Sequence, residues 1–353
     1  MITDCNAGRQ VNIDLAKCFS IVCMVLSHIF CMSGADLETG VGYFVDNFPG
    51  GFMAAPVFMA CMGIGLAYSR NSDPRRIVKR GIKILIVAYI LNIIRALLYV
   101  IEVCNKGTLY ENLEEITILF LEGDILHFAG LALILFGIVK LFNLKDKAIL
   151  AIGIVFSFVA TLHTVIAPNI FSSATLGLFV ATTYEGLMIS EFPLVCWFIF
   201  VAFGFWFGNR LKCVKELDKF YLKWGLPCFI ISFLGISYEY RHGINMMNHD
   251  PALNNFYSMV PHDALLCICF FIFLLALFHF AAKALTKWVR DLAVSTSNAL
   301  NLIFIIHWII ISCISIFWAG TPNATAYLLL ISMFVFVISS WLGIKLKKKK
   351  ISL

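Results

Sequence analysis

Residues 11–31 read VNIDLAKCFSIVCMVLSHIFC, and their only acidic or basic side chains are Asp14, Lys17 and His28. A helix needs ~20 residues to cross the hydrocarbon of a bilayer, so this stretch reads as a membrane span. Nine further apolar runs of similar length follow, near residues 50–69, 80–101, 117–141, 148–166, 192–209, 224–240, 260–282, 298–318 and 324–344. The chain of 353 residues is 61% hydrophobic and only 14% charged, more apolar surface than a water-soluble domain can bury. Nothing divides residues 1–353 into separate domains. The expectation is one all-α, polytopic membrane bundle of about ten helices.

Basic residues orient that bundle. Alternate connections hold Arg70, Arg75, Arg76, Lys79, Arg80 and Lys83, then Lys140, Lys145 and Lys147, then five more between Arg210 and Lys223. Lys283, Lys287 and Arg290 fill the next, and the tail runs Lys345, Lys347, Lys348, Lys349, Lys350. The intervening loops carry Asp36, Glu38 and Asp46, or Glu111, Glu114 and Glu115. Positive charge collects on the cytoplasmic side, so both termini are expected there. This asymmetry accounts for the net charge of +6 and leaves nothing that points to nucleic acid. No small-residue cleavage site follows the first apolar run, which reads as a retained span. The 12 cysteines lack CxxC spacing and mostly sit inside apolar runs, where they act as small hydrophobes.

Charged groups within a span are costly and normally face the bundle interior, where they mark a pathway or site. Lys17 and His28 are eleven residues apart, which places them about 20° from each other around the helix and ~16 Å along it. Asp14 lies three residues before Lys17, within ion-pair reach. In Glu122-Gly-Asp124-Ile-Leu-His127 the carboxylate and imidazole share a face, an arrangement that would raise the basicity of a general base. His262 and Asp263 open the eighth span, and Asn298, Asn301 and His307 fall in the ninth. On this topology His28, Asp124, His127, His262 and Asp263 lie toward the outside, whereas Lys17 and the Arg70–Lys83 cluster lie toward the cytoplasm. Such a distribution suits a reaction whose substrates enter from opposite faces. It equally suits a proton-coupled secondary transporter using the same residues.

Several segments together resemble the bacterial and archaeal branch of the heparan-α-glucosaminide N-acetyltransferase family. They are Arg9-Gln-Val-Asn-Ile-Asp14-Leu-Ala-Lys17 leading to Met24-Val-Leu-Ser-His28, and Ala55-Pro56-Val57-Phe58 with Gly63 and Gly65. Gly123-Asp-Ile-Leu-His127-Phe-Ala-Gly130, Phe192-Pro193-Leu-Val-Cys-Trp197 with Gly204 and Gly208, and Asn301 to His307-Trp308 complete the set. Two positions depart from the family pattern. Lys17 stands where Arg is usual, and no histidine falls between His28 and His127, where lysosomal members carry one.

The resemblance implies transfer of an acetyl or other short acyl group from cytosolic acyl-coenzyme A to an amine or hydroxyl of an extracytoplasmic sugar or glycan. It places the chain in the cytoplasmic membrane of a prokaryote. On this reading His28, or His127 supported by Asp124, is the base. Lys17, Arg70, Arg75, Arg76 and Arg80 contact the coenzyme, although the positive-inside effect alone also explains the Arg70–Lys83 cluster. Asp14, His262, Asp263, Asn298, Asn301 and His307 line the substrate path, with Asn298 or Asn301 polarising the thioester carbonyl. No metal is expected to take part. Membrane lipids are the remaining partners, and monomer and homodimer both stay open.

Overall fold

The computed structural model describes residues 5–349 except 7, 38–39, 70–72, 162–163, 243–255 and 318–324. In chain order the helices are α1 (Val11–Met32), α2 (Gly40–Tyr68), α3 (Pro74–Lys106), α4 (Leu113–Leu121), α5 (Ile125–Leu141) and α6 (Asp146–Val159). They continue with α7 (Ile170–Gly177), α8 (Leu194–Lys212), α9 (Leu217–Arg241), α10 (Pro261–Ala284), α11 (Lys287–Asn298), α12 (Leu300–Ile316) and α13 (Thr325–Lys348). Only a two-residue parallel ladder, β1 (Val165–Ile166) on β2 (Thr182–Thr183), is not helical among the regular elements described. The protein is a polytopic helical membrane protein.

Seven helices are long and apolar enough to cross a membrane, and an eighth span forms if α11 and α12 count as one, so the structure gives fewer full spans than the ten expected. The fourth expected span is interrupted between Leu121 and Ile125. There Gly123 pairs with Ser190, its N–H donating to Ile189 O at 3.1 Å and its carbonyl accepting from Glu191 N at 2.8 Å. A backbone held by another segment cannot continue a helical ladder, so α5 is left with 17 residues. The fifth expected span stops at Val159, and Val165–Ile166 instead joins the short ladder. Such backbone is tolerated at membrane depth only where the protein itself satisfies it.

Two other irregularities shape the interior. Pro49 has no N–H to give, and the turns of α2 around it, Asp46–Ala54, open into a wide π-type winding. Every fourth residue of that stretch, Asp46, Gly50 and Ala54, faces one polar cavity, while Phe44, Phe48 and Phe52 face an apolar groove on its other side. The second irregularity is a bend of 76° between α11 and α12 at Ala299. Neither Pro nor Gly causes it. Arg9 Nη2 donates to Val294 O at 3.4 Å and Cys18 Sγ to Ala293 O at 3.2 Å, so side chains from α1 and just before it dock on α11 one turn ahead of its end.

α8 is the most enclosed of the seven long spans and α9 the most exposed to lipid. Close helix approach explains the first. A Cβ on Gly204 would collide with the Ala60 carbonyl, and one on Gly63 with the Val201 carbonyl, so α2 and α8 touch backbone to backbone. The same contact joins α3 to α5, where a Cβ on Gly81 would stand 2.7 Å from Gly130 O. These tight pairs hold α2 against α8 and α3 against α5.

Candidate active site

His28 projects from α1 toward α12, and its Nδ1 lies 3.0 Å from Nε2 of His307. His307 is buried, and its Nδ1 lies 3.3 Å from the carbonyl of Ile303, one turn earlier. A carbonyl only accepts, so Nδ1 of His307 carries the hydrogen. With both rings neutral, His307 Nε2 then accepts from His28 Nδ1–H. Nε2 of His28 is left with its lone pair, on a residue lining a cavity of about 400 Å³. Trp308 stacks on the His28 ring with centroids 4.3 Å apart, and the Arg95 guanidinium lies 3.9 Å from the Trp308 ring centre. Trp308 thus holds one face of the imidazole, and the His307 bond holds its Nδ1 edge.

Arg95 comes from α3 and is buried within the bundle. Its Nη1 pairs with Glu122 Oε2 at 2.9 Å, as charges rather than through an aligned hydrogen bond. One turn away, Asn92 Nδ2 donates to the Glu122 carbonyl at 2.7 Å. The break between α4 and α5 is thus held by α3 and delivers Glu122 and Asp124 to the cavity. Glu191 reaches the same cavity from the loop before α8. Burial, with Glu122 and Asp124 close by, holds the Glu191 carboxyl well above the usual carboxylate range, and the Tyr257 hydroxyl donates to it. Ser20 Oγ donates to Ala54 O at 2.7 Å and ties α1 to the end of the wide turn.

The expected contact between the Asp124 carboxylate and His127 does not form. Asp124 is the N-cap of α5, and its Oδ1 accepts from Ile125 N. His127 Nδ1 instead accepts from the backbone N–H of Asp124 at 3.2 Å, which closes a capping box. Its hydrogen therefore sits on Nε2, which is buried without a partner among the described residues and close to the Tyr89 ring. His127 lines neither of the two cavities of this site.

A second cavity, of about 340 Å³, lies toward the end of the bundle that carries the basic connections. Lys17, Arg80 and Lys347 line it, with Asn298 and Asn301 from either side of the α11–α12 bend. Among the described residues Lys17 makes no ion pair or hydrogen bond. Its expected partner Asp14 is buried and instead holds Arg9 in a two-pronged pair, at 2.7 Å to Nε and 2.8 Å to Nη2. Arg9 also donates to Asn298 Oδ1 at 3.0 Å, which orients that amide and leaves its Nδ2 to donate, as Asn301 Nδ2 also can. The two cavities are stacked along the same five helices. α1 gives Lys17 to one and Ser20 to the other, α2 Cys61 and Ala55, α3 Arg80 and Arg95, α5 Ala129 and Ile125, α12 Asn301 and Phe304.

Other expected residues lie elsewhere. Arg75 and Arg76 are exposed and line neither cavity, and Arg70 lies outside the described residues. His262 and Asp263 pair with each other at 3.0 Å at the start of α10, beside Glu239, and also line neither. These three side chains present donor atoms within 4.8 Å of one another, a set that a divalent cation could accept. Sequence reasoning missed Arg95, although a signal was present. It is the one charged residue between Lys83 and Glu102, in the middle of an apolar run. The contact of His28 with His307 and the arrival of Glu191 depend on tertiary packing and left no local trace.

The family model described as heparan-alpha-glucosaminide N-acetyltransferase, catalytic, matches residues 9–237, from Arg9 through most of α9. No curated protein and no solved structure matches the chain. The match covers well over half of the sequence and includes Asp14, Lys17, His28, Arg95, Asp124 and Glu191. The family is one of membrane acetyltransferases that use acetyl-coenzyme A. This multi-pass membrane protein belongs to the heparan-alpha-glucosaminide N-acetyltransferase catalytic-domain family.

Proposed function

We propose that the protein moves an acetyl, or another short acyl, group from cytosolic acyl-coenzyme A to an amine or hydroxyl of a sugar or glycan outside the cytoplasm. The observation that carries this reading is the stacking of a cation-lined cavity and a histidine-and-carboxylate-lined cavity along five shared helices. Lys17, Arg80 and Lys347 suit the phosphates of the coenzyme at the cytoplasmic end. Asn301 is placed to donate to the thioester carbonyl as negative charge develops there.

The acceptor enters the opposite cavity, and His28 Nε2 takes its proton as the nitrogen or oxygen attacks the acyl carbon. The new C–N or C–O bond forms and the C–S bond breaks. The proton held on His28 passes to the departing thiolate, so coenzyme A leaves as a thiol. Glu191, Glu122 and Asp124 line the acceptor side and offer hydrogen-bond acceptors to sugar hydroxyls. His307 and Trp308 act on the chemistry only through His28 and are positioning residues.

The test is acetyl-coenzyme A binding and thiol release by purified protein, with glucosamine as acceptor. Wild type should bind and turn over; His28→Ala should bind equally and lose turnover. Failure of folded wild type to bind at millimolar ligand, or unimpaired turnover by His28→Ala, would overturn the reading.

A further inference from the structure

The two cavities share one lining residue among those described, Phe58. We infer that the Phe58 ring is the partition between the coenzyme cavity and the acceptor cavity, and that its size sets the longest acyl chain the protein accepts. This inference rests on the acyltransfer reading above.

The partition is thin. Lys17 and Ser20 belong to different cavities yet stand three residues apart on α1, and Asn301 and Phe304 do the same on α12. Three residues rise only ~4.5 Å along a helix, less than one turn. A thioester presented from the cytoplasmic cavity therefore has to deliver its carbonyl carbon at the level of the Phe58 ring for an acceptor on the far side to reach it. An acetyl group carries one methyl beyond that carbon. A longer chain needs the volume that the phenyl ring occupies.

Phe58 is also well placed to hold its position. It is only 8% exposed and belongs to the central apolar cluster. It follows the wide turn of α2 by one helical turn, and the backbone contact of Gly63 with α8 lies one turn later. The main chain at Phe58 is thus pinned on both sides, and only the ring can move. The same ring separates the thioester from water in the acceptor cavity. Removing it should raise hydrolysis, in which water adds to the acyl carbon, the C–S bond breaks, and carboxylic acid and thiol are released.

A buried Phe is ordinarily core packing, and a substitution that only loosens the core would lower turnover of every donor together. Discrimination between donors is the readout that separates the two roles. Phe58→Leu, Phe58→Ala and Phe58→Trp are compared with wild type for thiol release from acetyl-, butyryl- and octanoyl-coenzyme A, with and without glucosamine, after each variant is shown to be monodisperse. Phe58→Ala is expected to raise the octanoyl-to-acetyl ratio of kcat/KM by at least 10-fold and to increase hydrolysis without acceptor. Phe58→Leu should fall between, and Phe58→Trp should lose acetyl turnover while still binding free coenzyme A. A ratio in folded Phe58→Ala within 2-fold of wild type overturns the inference.

A second measurement keeps its failure apart from failure of the acyltransfer reading. Gly65 lines the coenzyme cavity, and a side chain there would meet open space. In sealed vesicles carrying Gly65→Cys, a small membrane-impermeant thiol reagent is added from the acceptor side, and modification at position 65 is read by peptide mass spectrometry. Labelling should rise at least 10-fold when Phe58→Ala is also present. Equal labelling in both overturns the partition, whatever the donor assays give. Increased labelling with no binding of any acyl-coenzyme A by folded wild type keeps the partition but removes its role in acyl selection.

Discussion

The neighbourhoods of His28 and His127 form a natural comparison, because each histidine stands beside a polar partner inside the bundle. Sequence spacing favours His127, which follows a carboxylate by three residues on the same helix. Geometry favours His28. The lone pair on His127 Nδ1 is taken up by a backbone N–H, so its other nitrogen can only donate. The His28 Nδ1 hydrogen goes to His307, so its other nitrogen can only accept, and His28 lines a cavity. What fits a histidine to serve as a base is which nitrogen the scaffold occupies, more than whether a carboxylate is near.

The sharpest way to break that comparison is to remove each ring in turn. His28→Ala should lower acetyl transfer by ~10²–10⁴, the usual contribution of a general base, with acetyl-coenzyme A affinity retained by calorimetry. His127→Ala should lose a helix cap worth ~1 kcal/mol, seen in thermal unfolding in detergent, and keep transfer within about 3-fold once folded. The opposite pattern would exchange the two roles.

Arg95→Lys tests whether orientation of His28 matters. The charge stays but the flat guanidinium over Trp308 is lost, and kcat should fall about 10-fold with KM for acetyl-coenzyme A unchanged. A rise in KM alone would assign Arg95 to binding. At the other cavity, Lys17→Ala should raise the Kd of coenzyme A by about 10-fold and leave the affinity of dephosphorylated pantetheine unaltered.

The smallest expected effect is on stability. Because burial raises the Glu191 carboxyl, the native state keeps its proton to a higher pH than the unfolded chain does. Native stability then falls as pH rises from the ordinary Glu range toward the raised folded value, by up to ~1.4 kcal/mol per pH unit. Glu191→Gln has no such dependence. Its unfolding midpoint should gain on that of wild type as pH rises above the ordinary Glu range. A constant difference over that rise would show that Glu191 is ionised in the folded protein.

Much of the architecture was legible because membrane spans announce themselves by length and apolarity, independently of their neighbours. The breaks were not. Glu122-Gly123-Asp124 sits inside an apolar run, and only the pairing of Gly123 with Ser190, 67 residues later by number, interrupts it. The bend at Ala299 has no Pro or Gly to mark it. For the site, Lys17, His28, Asp124, Asn301 and His307 could be nominated one at a time as polar groups in apolar surroundings. Their grouping into two stacked cavities could not, because it follows from the crossing of five helices. Arg95 met the same criterion and was passed over, whereas Asp14 was noted but assigned the wrong cation.

The bend at Ala299 has an electrical consequence as well. It creates a fresh helix start in mid-span, and the first residues of α12, Leu300, Asn301 and Leu302, all border the cavity lined by Lys17. The opening turn of a helix points amide hydrogens that have no acceptor within the helix, and its aligned peptide dipoles add a positive potential. The cavity lined by Lys17 therefore attracts anions through its backbone as well as its side chains. No change of pH can discharge that contribution and no single substitution can delete it, so the attraction should outlast the loss of any one lysine.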